Sequence, residues 1–283
     1  MHETFQIRDH IWQIQEAAGV YFTIIQGTKS AIVMDTGYGI ANTRDYVERL
    51  LSVPYIVINS HGHPDHTQGN DQFDKVYIHP LDLPAYESAS TRERRAQCYD
   101  RLSAVNALSP DGKEAYAERA EQAATQICPL APETVYDLGN LTVRVVELPG
   151  HTKGSVGLLV EEERLLLAGD AFNPDMWMFA DNHDTLDVLA ATVEKALGLP
   201  FDTYLGGHST KEVKREFLQE VKRNLQERTV DWDSYEVILG KETYKITYTG
   251  EHGTSRIAIP KETALKIRED KGTHGVYGDE CAE

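Results

Sequence analysis

Apolar residues fall in short blocks through the first part of the chain. Ile11–Gln15, Val20–Ile25 and Ala31–Met34 are β-branched and aromatic runs broken by Gly19 and Gly27, and they predict strands. Asn42 is placed to cap a helix with Tyr46, Val47, Leu50 and Leu51 on one face. Tyr55–Asn59 and Lys75–His79 predict two more strands. From about 80 to 128 the composition turns to Ala, Glu, Arg and Gln, with helical spacing at Leu102, Val105 and Leu108. This reads as a helical insertion, either a solvated pair packed over the core or a lid over a site. Strand patterns resume at Leu141–Glu147, and Ser155–Val160 with Arg164–Ala168 predicts a hairpin. Asp184–Leu197 and Thr210–Arg228 predict amphipathic helices. Glu242–Tyr248 and Ser255–Ile259 predict two strands joined through Gly250–Gly253, and Asp279–Glu283 a frayed tail. The expected organisation is a main domain over 1–228 and a β-rich appendix over 229–283.

The candidate chemistry lies just past the predicted strand at Tyr55–Asn59. Residues 61–66 read His61-Gly62-His63-Pro64-Asp65-His66, four strong metal ligands within six positions. Imidazole and carboxylate are the ligands of zinc-like ions. In extended chain His61 and His63 share a face, while Asp65 and His66 need a turn, shaped by free φ at Gly62 and fixed φ at Pro64. Three more candidates, His151, Asp170 and His208, each follow an apolar run that ends in Gly or Pro-Gly. Together the seven suffice for two ions: His61, His63 and His151 for one, Asp65, His66 and His208 for the other, with Asp170 bridging.

These pieces resemble the metallo-β-lactamase superfamily. Asp35-Thr36-Gly37, the 61–66 cluster, Gly150-His151-Thr152, Gly169-Asp170 and Gly207-His208 occur in that family's order. The resemblance implies an αββα sandwich, two mixed sheets packed together with helices outside and metals at one edge. It implies that Asp35 orients the ligands by hydrogen bonding, and that Asp65 handles protons besides ligating. Two divalent ions, expected as zinc with iron or manganese as alternatives, would share a water and make it hydroxide near neutral pH. The implied activity is hydrolysis of a small ester, thioester or lactone, with a phosphodiester hydrolase or an iron-dependent redox enzyme as alternatives. Subfamily marks narrow this. β-Lactamases of the superfamily carry Cys or Ser where Asp170 stands. Typical lactonases place Tyr where Asn173 stands, and glyoxalase II enzymes usually carry Gly-Cys-Gly-Arg soon after that Asp. Here Met176-Trp177-Met178-Phe179 follows instead, an apolar run read either as core or as a pocket wall through Met176, Trp177 and Phe179. His183 is expected in a surface or capping role, while His10 and His79 lack a partner pattern and are expected to be structural.

Bulk properties bound the partners. A formal charge of −17 over 283 residues argues against nucleic acid or an anionic membrane. No apolar stretch is long enough to span a bilayer, and the start lacks a secretory pattern. Cys98, Cys128 and Cys281 form no close-spaced pair and are expected as free thiols in a reducing, cytoplasmic setting, with a Cys98–Cys128 bridge as the alternative. A small-molecule substrate is the expected partner, and homo-oligomerisation is left open.

Overall fold

The computed structural model describes residues 2–273 except 18, 107, 110 and 123. The first sheet holds seven strands in sequence order: β1 (Glu3–Arg8), β2 (Ile11–Ala17), β3 (Val20–Gln26), β4 (Ala31–Met34), β5 (Tyr55–Ile58), β6 (Lys75–Ile78) and β7 (Gln126–Pro129). Strands β1 to β4 form an antiparallel meander, and β4 to β7 run parallel. Parallel neighbours need crossovers. The first is α1 (Thr43–Leu50), which Asn42 caps by accepting from the Asp45 amide. The second contains α2 (Pro64–Thr67). The third is the insertion: α3 (Leu83–Ala89), α4 (Arg92–Asn106) and α5 (Gly112–Gln122). The insertion is helical as expected up to Gln122. Residues 126–129 differ, because they return to the first sheet as its edge strand beside β6.

The second sheet contains β8 (Val135–Asp137), β9 (Thr142–Glu147), β10 (Val156–Val160) and β11 (Leu165–Gly169). After the short β12 (Asp175–Trp177) leaves it and α6 (Leu186–Leu197) covers it, the chain returns as β13 (Thr203–Gly206) and β14 (Val213–Lys214). The helix expected from Thr210 begins only at α7 (Phe217–Glu227), because Val213 and Lys214 pair with Tyr204 and Thr203 at the sheet edge. Inner faces of the two sheets meet in one cluster that includes Ile32, Met34, Ile58, Val145, Leu158, Leu167 and Leu205. Strands β10 and β11 are buried throughout, as a sheet covered on both faces requires. This is the expected αββα sandwich.

The last segment adds β15 (Val230–Ile238), β16 (Lys241–Gly250), β17 (Gly253–Pro260) and α8 (Lys261–Thr273). The sequence reading lacked β15 and α8. These strands form a third sheet with β12, which pairs parallel with β17 through Asp175–Arg256, Met176–Ile257 and Trp177–Ala258. Ile246, Ile257, Ile259 and Ala264 share a core cluster with Phe172, Met176, Leu189 and Phe201. The boundary at 228 therefore marks a change of sheet, with apolar packing continuous across it. Cys98 and Cys128 are free thiols; Cys281 and the expected tail at 279–283 lie outside the described residues. Among the described residues no helix is long and apolar enough to cross a membrane.

Candidate metal centre and its cleft

The ligand cluster starts where β5 ends. His61 is buried, and Pro64 opens α2, where its missing N–H costs nothing, so Asp65 and His66 sit on one helical turn. Gly62 has no positive φ, contrary to the freely turning role expected of it. Its reason is steric: a Cβ there would stand 2.7 Å from the Asp82 carbonyl oxygen. His151 lies in the turn between β9 and β10, Asp170 follows β11, and His208 follows β13. The two sheets thus deliver all seven residues to one edge.

Five imidazoles have their outer nitrogen against an acceptor. His66 Nδ1 is 2.8 Å from Asp35 Oδ2. His61 Nδ1 is 2.9 Å from Ser60 Oγ, which itself donates to Asp35 Oδ2 at 2.8 Å and so must accept from the ring. His151 Nδ1 faces the Trp177 carbonyl at 2.8 Å, His63 Nε2 the Asp181 carbonyl at 3.2 Å, and His208 Nδ1 the Gly19 carbonyl at 3.2 Å. Carbonyls and carboxylates only accept, so each outer nitrogen carries a proton, and each ring in its neutral form turns a lone pair inward.

The inward atoms converge. His63 Nδ1 is 3.1 Å from His61 Nε2 and 2.9 Å from His151 Nε2. Three lone pairs at this spacing repel unless a cation sits among them. Four-coordinate zinc with bonds of about 2.0–2.1 Å wants nitrogens about 3.3 Å apart, close to what is found. On the other side, His66 Nε2 is 3.6 Å from both Asp65 Oδ2 and Asp170 Oδ2, too far for hydrogen bonds. His66 Nε2 and Asp170 Oδ1 are buried without a hydrogen-bond partner among the described residues. His208 Nε2 is 3.5 Å from Asp65 Oδ2 and 3.0 Å from Asp170 Oδ2. Asp170 Oδ2 also stands 3.7 Å from His151 Nε2, so one carboxylate reaches both groups. His61, His63 and His151 form one triad able to hold a metal ion; Asp65, His66 and His208 form another. The donor set fits two divalent cations.

Electrostatics agree. Burial, then neighbouring histidines, hold His61 well below the ordinary imidazole value, and burial with His151 brings His63 to about 4. Beside the two carboxylates the direction reverses. Asp170 raises His208 to about 9, and although burial opposes it, Asp65, Asp170 and Asp35 raise His66 well above its usual value. This half of the site draws positive charge to itself.

One residue outside the expected set ties the loops together. Asp82 is fully buried at the start of α3 and does not cap that helix. Its Oδ2 accepts from the Gly62 amide at 2.8 Å and Thr152 Oγ1 at 2.7 Å; its Oδ1 accepts from the Gly154 amide at 2.8 Å and Asn182 Nδ2 at 2.6 Å. A Cβ on Gly154 would stand 2.8 Å from the Asp82 amide nitrogen, so the loops approach this closely only through glycine. Nothing in the sequence marked Asp82.

The centre floors a cleft of about 730 Å³, lined by His63, Asp65, His151, Asp170 and His208. The insertion contributes Ala85, Ala89 and Leu102, and the β15–β16 turn contributes Leu239, so the insertion helices do form part of the site's wall. Trp177 and Phe179 line the cleft, with ring centroids 5.2 Å apart. Met176 does not. On β12 side chains alternate, and Met176 turns into the core while Trp177 is 40% exposed. Tyr38 also lines the cleft; burial and Asp65 push its phenol far above its usual value, so it stays protonated and able to donate. His183 donates a ring N–H to the Asp184 carbonyl, and His79 accepts from the Leu81 amide, both outside the two triads.

Fold and site together define an αββα protein with a cluster of metal-binding His and Asp side chains at one edge of its sheets. The metallo-beta-lactamase superfamily model matches residues 17–208, and the chain belongs to that superfamily. An acyl-coenzyme A thioesterase, MBLAC2, from Bos taurus is 26% identical over 178 residues, covering 59% of this chain and 62% of the relative. The match thus spans under two thirds of that relative's length. A metallo-beta-lactamase family protein from Thermus thermophilus has a similar structure, with TM-score 0.57, 20% identity, and coverage of 79% of this chain and 81% of the other. A sec-alkylsulfatase from a Pseudomonas species has TM-score 0.58 at 14% identity, covering 80% of this chain and 42% of the other.

Proposed function

We propose that the protein is a metal-dependent hydrolase acting on thioesters with an apolar acyl group, with zinc the first candidate metal. The observation that carries this reading is the inward array of five histidine nitrogens around Asp65 and Asp170, at the floor of a cleft walled by Trp177 and Phe179. The thioester choice is supported by the thioesterase name of the curated relatives matched over 59% of the chain.

Two divalent ions, when bound, would lower the pKa of water to near neutral and polarise a carbonyl. The chain's residues do the rest. His61, His63 and His151 would hold one ion, Asp65, His66 and His208 the other, and Asp170 would contribute to both. Asp35, directly and through Ser60, keeps His66 and His61 in the ligating tautomer. The Asp65 carboxylate accepts the proton from the attacking water and returns it to the leaving thiolate. The Tyr38 phenol donates toward oxygen in the cleft. Trp177 and Phe179 hold the acyl chain against an apolar surface. Free Cys98 and Cys128 support a cytoplasmic location.

The test is a panel of thioesters, oxygen esters, lactones and phosphodiesters on zinc-, manganese- and iron-loaded protein. Thioester hydrolysis with kcat/KM rising with acyl length supports the reading. Preferred turnover of a phosphodiester, or oxygen uptake by iron-loaded protein without hydrolysis, would replace it.

A further inference from the structure

Helix α4 carries four arginines in its first ten residues, and they divide into two kinds. Arg92 pairs with Glu114, Glu118 and Glu121. Arg95 is fully buried, bonded to Asp71 at 2.7 Å and to the Gln68 and Tyr116 carbonyls. Arg94 and Arg101 differ. They lie seven residues apart, two helical turns, and so leave one face of α4. That face lines the metal cleft. Neither has a carboxylate within ion-pair distance among the described residues; the Arg101 guanidinium contacts Cys98 Sγ at 3.2 Å.

The cleft's other charges do not saturate them. Lys241, at the β15–β16 turn, also lines it and pairs with Asp181 at 2.7 Å. Asp181 is hydrogen-bonded to Lys241, with Arg94 acting on it only from beyond ion-pair distance, and Asp175 has Arg256 at 3.3 Å. Asp65 and Asp170 belong to the metal centre. In a chain of net charge −17, two guanidinium groups that face one cleft with no carboxylate in ion-pair reach among the described residues are placed to meet an anion. Guanidinium forks match the oxygens of a phosphate ester.

We propose that Arg94 and Arg101 form an anion subsite that receives a phosphate carried by the thiol portion of the substrate. This rests on the thioesterase reading and narrows its substrate class to acyl thioesters of a phosphorylated thiol. The acyl chain lies on Trp177 and Phe179, and the phosphate lies against α4.

The experiment measures binding and does not depend on turnover. S-hexyl pantetheine and its 4′-phosphate are non-hydrolysable thioethers that differ only in the phosphate. Each is titrated calorimetrically into metal-loaded full-length protein and into the Arg94→Gln/Arg101→Gln variant, in which glutamine keeps the side-chain stems. The phosphorylated ligand is expected to bind at least about tenfold tighter to the wild type, with the ratio falling toward one in the variant. In the wild type the ratio should also shrink between 0.05 and 0.5 M salt, which tests the charge contribution without any substitution. A wild-type ratio near one, or no binding of either ligand, overturns the subsite. A ratio retained in the variant does so too, because the phosphate then goes to the metals or to Lys241. A phosphate preference that depends on the arginines, together with no thioester turnover, would instead sink the thioesterase reading and leave the subsite standing.

Discussion

Asp82 offers the sharpest test of how the metal loops are held. Its two carboxylate oxygens receive four donors: the Gly62 and Gly154 amides, the Thr152 hydroxyl and the Asn182 amide. Gly62 lies inside the 61–66 cluster, and Thr152 and Gly154 flank His151 on the far sheet. Asp82→Ala removes every acceptor at once. Thr152 Oγ1 still has Ser155 Oγ at 2.7 Å, but the two backbone amides have no substitute at this buried point. Each orphaned buried donor costs about 1–3 kcal/mol, so the loss should be about 2–6 kcal/mol, a large share of a typical domain's stability. Asp82→Asn keeps one acceptor and turns an NH2 group toward a donor, so it should cost less, about 1–3 kcal/mol. The assay is denaturant unfolding of metal-free protein, with zinc affinity measured by chelator competition. Affinity should weaken by roughly 10–100-fold in Asp82→Asn, because the two ligand loops lose their fixed spacing. Unfolding of Asp82→Ala within about 0.5 kcal/mol of wild type, or unchanged zinc affinity in Asp82→Asn, would refute the role assigned to this carboxylate.

Metal analysis of protein loaded with zinc and desalted should give two ions per chain, and Asp170→Ala should retain about one and lose most activity while remaining folded by circular dichroism. Trp177→Ala should lower the specificity ratio between long-chain and short-chain thioesters about tenfold, with only a small loss of stability because the ring is 40% exposed; a loss of roughly 3–5 kcal/mol with an unchanged ratio would return Trp177 to the core. Glu16 is buried beneath the loop at 38–41, and burial raises its carboxyl to about 7 against the opposing amides of that loop. Its folded-state pKa lies above the unfolded value, so its contribution is fully present below about pH 4.5 and is lost as pH rises to about 7. The loss is about 3 kcal/mol at most. Equilibrium unfolding at pH 5 and pH 8 should show this slope in the wild type and a flatter one in Glu16→Gln.

The candidate ligand set was legible because metal chemistry limits residue types and the 61–66 spacing is local. The turn at Pro64 and the ends of β5, β11 and β13 follow from short-range rules, so His61, His63, Asp65, His66, Asp170 and His208 could be placed from neighbouring residues. The sandwich itself was expected from the family resemblance those motifs carry; β10 and β11, buried along their whole length, agree with a sheet covered on both faces. Local pattern failed where a residue's partner is remote. Asp82 belongs to no local motif, and its carboxylate serves loops 20 and 72 residues away. Residues 126–129 and 213–214 are too short to show a period, and only pairing with β6 and β13 makes them strands. Met176 and Trp177 are adjacent in an unbroken apolar run, and parallel pairing with β17, about eighty residues downstream, sends one to the core and the other to the cleft. Arg94 and Arg95 are neighbours of identical chemistry, and packing of α4 buries one on Asp71 and turns the other to the metal cleft. Composition and short-range spacing thus determined which chemistry the chain can hold. Which side chains face that chemistry was left to long-range strand pairing and helix packing, because orientation depends on partners that local sequence does not contain.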